Sequence, residues 1–147
     1  IETYRLDEGK VLEKDFLLRL DLIETYLEEV IKIDPQRSKK IESKLRASLE
    51  ELKIEIDSNR FEQELIFYLE KFDITEEKVR LQNHLDYFKK VLKNDFPNGK
   101  KLGFIAQEIG REINTMGSKA NHSELQKIVV QMKDELEKIK EQLLNVL

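Results

Sequence analysis

Leu12, Phe16, Leu20, Ile23, Leu27 and Ile31 recur at steps of three and four, the spacing of one helical face. Pro35, preceded by Asp34, predicts the end of that helix, because the residue before a proline is pushed out of the α region. Ile41, Leu45, Leu49, Leu52 and Ile56 form a second stripe, so the short break predicts an antiparallel hairpin over 1–59. Asp57, Ser58 and Asn59 offer turn or N-cap chemistry before a third stripe of Phe61, Leu65, Leu69 and Phe72. Asp73 with Glu76 reads as an Asp variant of the capping box, opening a fourth helix that carries Leu81, Leu85, Phe88 and Leu92. "NDFPNG", residues 94–99, is the clearest loop. A fifth helix is predicted from Leu102 to Thr115, with Gly117 ending it. Ser123 and Gln126 make a second capping box before a last helix. There Leu125, Val129, Met132, Leu136, Ile139, Leu143 and Val146 alternate steps of four and three, a heptad seam for a long partner helix.

No segment alternates as a strand would. The pattern predicts an all-α fold of about six helices, a hairpin over 1–59 followed by a bundle over 60–147, or one continuous domain. Composition agrees. Of 147 residues, 39% are hydrophobic and 38% charged, with few aromatics, as suits long amphipathic helices. The net charge of −4 lacks the basic excess of a general nucleic-acid binder, but leaves room for a locally basic groove. With no cysteine, disulfides, thiol catalysis and Cys-ligated zinc are excluded. No apolar run approaches the ~20 residues of a membrane span, and no signal peptide is expected from the pattern of these residues. The chain starts at Ile1 without an initiator Met, and is expected to be a piece of a longer protein.

Two polar blocks stand out against this Leu/Ile/Glu/Lys background. In "GKKLGFIAQEIGREINTMGSK", residues 99–119, helical geometry gathers Leu102, Ile105, Ile109, Ile113 and Met116 on one side. Gln107, Arg111 and Asn114 fall opposite, and Glu108 and Glu112 lie together at a border of the apolar face. Phe104 falls among the polar residues, where it needs another helix, another subunit or a ligand to cover it. Glu108 and Glu112 also fit the plain role of i,i+4 ion-pair partners. Gln, Asn and Thr, however, are indifferent helix formers where Lys or Glu would solvate better. The Gly-interrupted "TMGSKAN" adds the Ser118 hydroxyl and the Lys119 charge, groups suited to a phosphate.

The second block is "RFEQELIFYLEKFDITEEKVRLQNHL", residues 60–85. Glu76, Arg80 and His84 repeat at i, i+4, i+8, with Glu77 beside them. His84 sits at the edge of the apolar face, where it serves as a structural residue, a general acid or base, or, with carboxylates such as Glu62, Glu64 and Asp73, a ligand for Mn²⁺ or Mg²⁺. His122, before the last cap, reads as exposed and incidental.

Together the two blocks resemble the carboxy-terminal part of the YicC/YloC family of bacterial endoribonucleases. Glu62-Gln63-Glu64, Asp73-Ile74, Glu76-Glu77, Arg80-Leu81 and His84 fit the first block. Gly99, Leu102, Phe104, Gln107-Glu108, Arg111-Glu112, Asn114-Thr115 and Ser118-Lys119 fit the second. The resemblance extends to "EGKVLEKDFLLRLDLIE" near the start and "VVQMKDELEKIKEQLLNV" at the end. Gly103 and Gly110 depart from it, where the family often has Asp and Asn, as does Leu147, where an acidic residue is common.

The resemblance implies a cytoplasmic, divalent-metal-assisted endoribonuclease of the kind also described as stress-induced. It implies a homo-oligomer with an RNA-accepting cavity, without membrane or organic cofactor, and with a mixed α/β segment preceding the helical part. On that reading His84, Glu108 and Glu112 carry acid–base chemistry, and Glu62, Glu77, His84 and Glu108 hold Mn²⁺ or Mg²⁺. Arg80, Gln107, Arg111, Asn114, Ser118 and Lys119 contact RNA. The alternative is a helical scaffold for oligomerisation or partner binding, with catalysis elsewhere in the full protein.

Overall fold

The computed structural model describes residues 2–51, 58–94, 96–120 and 122–146, without the side chains of residues 2–8, 49, 58 and 61. The stripe positions Leu52 and Ile56, the turn residue Asp57, and the side chains of Leu49, Ser58 and Phe61 lie outside that description. Among the described residues there are five helices and no strand: α1 (Glu2–Glu51), α2 (Ser58–Phe72), α3 (Thr75–Asn94), α4 (Gly99–Lys119) and α5 (Ser123–Leu143). The all-α expectation holds, with five helices rather than about six.

The difference lies at Pro35, which does not end the first helix: α1 runs through it for 50 residues. A mid-helix proline removes one hydrogen bond and crowds the preceding turn, at about 3 kcal/mol or more. Pro35 itself faces solvent, while its neighbours Asp34 and Arg37 are buried and tied together. Arg37 Nε donates to Asp34 Oδ1 at 3.0 Å, and Arg37 Nη2 donates to the carbonyl of Phe72 at the end of α2. Lys78 Nζ on α3 reaches Asp34 Oδ2 at 2.7 Å. These contacts hold the turn helical on both sides of the proline.

The N-terminal half of α1 joins α3, α4 and α5 around one core. Phe16, Leu20, Ile23 and Leu27 are buried as their spacing predicts; the next seam position is Val30, whereas Ile31 is half exposed. The 4-3-4-3 rhythm therefore continues through Val30. Phe16 and Phe88 meet edge to face, with ring centroids 5.7 Å apart. The seam of α5 buries Leu125, Val129, Met132, Leu136 and Ile139, and its long partner is α1. Ion pairs fasten the seams: Arg19 to Glu135 between α1 and α5, and Lys89 to Glu24 and Asp21 between α3 and α1. Burial alone would lower the Lys89 pKa, but hydrogen bonds to Glu24 and Asp21 outweigh it and raise it.

Beyond Asp34, α1 leaves the bundle and packs against α2, so the helical hairpin forms between these two rather than about Pro35. Leu65 is buried there, while Ile66, Phe67 and Tyr68 remain exposed.

Three local expectations are corrected. Asp73 does not build a capping box with Glu76: its Oδ1 accepts from the Thr75 N–H and hydroxyl at 3.0 and 2.5 Å, while Glu76 pairs with Arg80. Gly117 does not stop α4, which continues to Lys119; a Cβ there would lie 3.1 Å from Val129, so the glycine permits close approach of α4 and α5. His122 is not incidental. It, and not Ser123, is the N-cap of α5, its Nδ1 accepting from Leu125 N at 3.4 Å, and Gln126 builds no capping box with Ser123 but donates back to the carbonyls of Gly117 and Ala120. Among the described residues, no helix is long and apolar enough to cross a membrane.

Candidate functional site

Helices α3 and α4 lie side by side; α4 carries the block 99–119, and α3 the later part of the block 60–85, whose beginning lies on α2. Asn98 opens α4 by accepting from Lys101 N at 3.2 Å, and Leu102, Ile105, Ile109, Ile113 and Met116 then turn into the core as their spacing predicts. That anchoring fixes the rotation of α4. It leaves Phe104, Gln107, Arg111 and Asn114 exposed and carries Glu112 into the seam with α3.

Two pairs cross this seam. His84 Nε2 stands 4.0 Å from Glu112 Oε1, with Glu112 only 7% exposed at its side chain and His84 28%. The spacing is longer than a hydrogen bond, leaving the imidazole close enough to feel the carboxylate yet open to solvent. Toward the other end, Lys119 Nζ binds buried Glu77 Oε1 at 2.7 Å and the carbonyl of Asp73 at 3.2 Å. Glu77 Oε2 is buried with no hydrogen-bond partner, an open acceptor in a charge pair. Helix spacing set Glu112 at a border of the apolar face and Glu77 beside the Glu76–Arg80–His84 stripe; their burial is a property of the α3–α4 contact.

The remaining predicted residues are distributed as follows. Glu108 lies one turn before Glu112, half-buried and in no ion pair among the described residues. Arg80 pairs with Glu76 at 2.9 Å in solvent. The Ser118 hydroxyl donates to the Asn114 carbonyl at 3.0 Å, and Thr115 donates to that of Arg111 at 2.9 Å, so both hydroxyls bond within α4. Glu62 is on α2, paired at 3.0 Å with Arg46 of α1.

The set Glu62, Glu77, His84 and Glu108 therefore does not form one ligand sphere within the chain. Among the described residues, no group of three or more His, Cys, Asp or Glu is placed to hold a metal ion. Glu62 is neutralised by an arginine and Glu77 by a lysine. Glu108 with Glu112 is a smaller donor set, two carboxylates one helical turn apart. A Mg²⁺-type ion keeps several waters, so of the two only the half-buried Glu108 is open to one, while Glu112 is closed into the seam.

Sequence reasoning also missed Tyr87, whose exposed ring lies under Lys101 Nζ at 5.7 Å, and the buried Asp34–Arg37 pair. Tyr87 sits three residues after His84, so the same helical arithmetic that grouped Arg80 with His84 places it near their edge of α3.

Comparison with known proteins agrees with these blocks. Residues 30–147 match the model of the family described as "Endoribonuclease YicC-like, C-terminal". The chain is 39% identical over 149 residues to a protein of Clostridioides difficile named "Probable endoribonuclease YicC", covering 99% of this chain and 51% of that protein. A protein of the same name from Haemophilus influenzae is 32% identical over 139 residues, covering 95% of this chain and 48% of its own length. The chain thus spans about half the length of the curated relatives it matches. By a family match across most of its helices, the chain belongs to the YicC-like endoribonuclease family, as the C-terminal part.

Proposed function

We propose that this chain is the helical half of an endoribonuclease, and that the α3–α4 seam forms part of its RNA-cleaving surface. The observation that carries the reading is the His84–Glu112 pair, a half-exposed imidazole held 4.0 Å from a buried carboxylate. An imidazole so placed takes a proton from the attacking hydroxyl and returns one to the leaving oxygen, while the carboxylate orients the ring. Glu112 is the positioning group, since it is buried and reaches RNA only through His84.

Arg111, exposed one residue before Glu112, and Arg80, one turn before His84, would meet phosphates on either side. Lys119 is committed to Glu77, so its role is to fix the end of the seam as much as to attract RNA. Gln107 and Asn114, exposed on α4, offer amides to backbone or base edges, and Ser118 lies one turn further on. A divalent cation, Mn²⁺ or Mg²⁺, would be held by Glu108 together with substrate phosphates and would neutralise their charge. The exposed Ile66, Phe67 and Tyr68 on α2 support homo-oligomeric assembly, because apolar side chains clustered on a protruding helix favour a covering partner.

The test is cleavage of a fluorescent RNA by the full-length protein with Mn²⁺, Mg²⁺ or EDTA. His84→Gln is expected to lower kcat by about 100-fold or more with RNA binding retained, since acid–base catalysis typically contributes 10²–10⁴-fold. Glu108→Gln is expected to raise the cation concentration needed for half-maximal rate. Unaltered cleavage by His84→Gln would move the chemistry out of this half and leave the α3–α4 seam an assembly surface.

A further inference from the structure

At the end of the α3–α4 seam away from Glu77 lies a shallow open groove that neither pair occupies. Tyr87, Lys100, Lys101, Gly103, Phe104 and Gln107 line it. Phe104 is 64% exposed and Tyr87 44%, two aromatic rings on one wet surface. A Cβ at Gly103 would meet nothing within 4 Å, so the space beside Phe104 is open.

We propose that this groove is a stacking platform for unpaired bases of single-stranded RNA, with Phe104 and Tyr87 taking base faces and Lys100 and Lys101 the flanking phosphates. The proposal rests on the nuclease reading and gives it a substrate class, unpaired rather than duplex RNA. Every base has a π-face, and a stacked base contributes about 1–3 kcal/mol without demanding a sequence. The charge argues for RNA over a protein partner. The chain has 30 acidic residues among 147 and a net charge of −4, yet none of the groove's lining residues is a carboxylate and two are lysines. Lysine is depleted in protein interfaces and is the ordinary neutraliser of phosphates. The Lys101 ammonium already lies over the Tyr87 ring, so cation and aromatic face share one site. The Gln107 amide adds a donor and an acceptor for a base edge.

Position fits the chemistry too. Phe104 precedes Glu112 by eight residues, about 12 Å along α4 at 1.5 Å per residue. With stacked nucleotides rising about 3.4 Å each, bases on the platform lie roughly three to four nucleotides from a phosphate at the His84–Glu112 pair.

The experiment measures binding of the full-length protein to a fluorescent 2′-O-methyl (A)12 oligomer and to the same backbone without bases. Phe104→Ala and Tyr87→Ala are each expected to weaken (A)12 binding by about 5- to 100-fold and to leave the abasic oligomer within two-fold. Phe104→Trp is expected to retain wild-type affinity. Lys101→Gln is expected to weaken both oligomers and to lower the salt dependence of binding. Both rings are exposed, and Phe104→Trp tests the site without truncating it.

Equal wild-type affinity for the two oligomers, or unchanged (A)12 binding by the alanine variants, overturns the platform. If the wild type still cuts RNA in that case, the nuclease reading stands without it. If the wild type neither binds nor cuts RNA, both fall. A change of sedimenting mass in Phe104→Ala overturns the platform in favour of a protein contact.

Discussion

Replacing Arg37 by methionine keeps the length of the stem and removes the guanidinium, which isolates what the charge does at the middle of α1. Arg37 is 2% exposed and Asp34 7%, so both sit where screening by water is weak. The guanidinium makes a charge-assisted bond to Asp34 and another to the Phe72 carbonyl, while its Nη1 has no partner. Hydrogen bonds to charged groups contribute about 1.5–3 kcal/mol each, against which stands the recovered desolvation of a buried cation. Breaking a buried pair from one side costs about 3–5 kcal/mol, chiefly because the surviving charge is stranded. Here Asp34 keeps Lys78 at 2.7 Å, so it is not fully stranded and the loss belongs at the lower end, about 3 kcal/mol. For a chain of this size that lowers Tm by roughly 6–12 °C.

Urea unfolding followed by far-ultraviolet circular dichroism gives the global loss, and hydrogen exchange locates it. Since α2 packs chiefly on α1 and its last turn is tied to Arg37, the amides of α2 are expected to lose the most protection. Asp34→Asn in the Arg37→Met background is expected to cost less than in the wild type, the signature of coupled groups. A loss below about 1 kcal/mol with α2 exchange unchanged would refute the argument that this network carries α1 through Pro35 and docks α2.

Three further changes probe the scaffold of the seam. Hydrogen bonds from the Thr75 hydroxyl and N–H hold the Asp73 carboxyl below its ordinary 3.8, so its ionised form stabilises the fold above that pH and the effect is lost as pH falls through the lowered value. Asp73→Ala is expected to cost about 1 kcal/mol at pH 7, and the difference in urea midpoint between variant and wild type should shrink as pH falls below the ordinary 3.8. Gly103→Ala places a Cβ in open space and is expected to stabilise α4 by about 0.5–1 kcal/mol. Gly110→Ala, whose Cβ would stand 3.1 Å from Leu136 Cδ2, is expected to gain less or to lose stability. Thermal melts showing the reverse order would contradict the close α4–α5 packing at Gly110.

Helix faces were legible because one residue in three or four turns inward whatever the partner is: Phe16 to Leu27, Leu81 to Leu92 and the α5 seam all bury as their spacing predicts. Phe104 was legible for the complementary reason, an aromatic on the wrong side of an otherwise consistent helix, and it is exposed. What spacing does not encode is which helix a border residue meets. Glu77 and Glu112 are both buried at the α3–α4 contact, where Lys119 of the neighbouring helix pairs with Glu77 and His84 stands 4.0 Å from Glu112.

The same blindness accounts for Pro35. A local rule gave the proline's backbone penalty, but Arg37, Phe72 and Lys78, which hold that turn from both sides, are two, 37 and 43 residues away in the chain. Continuity makes α1 a single helix that reaches from the α2 contact to the core that fixes α3 and α4. The polar blocks point to chemistry through residue choice. Their register against each other, which sets His84 beside Glu112 and Tyr87 under Lys101, is supplied by the core those helices share.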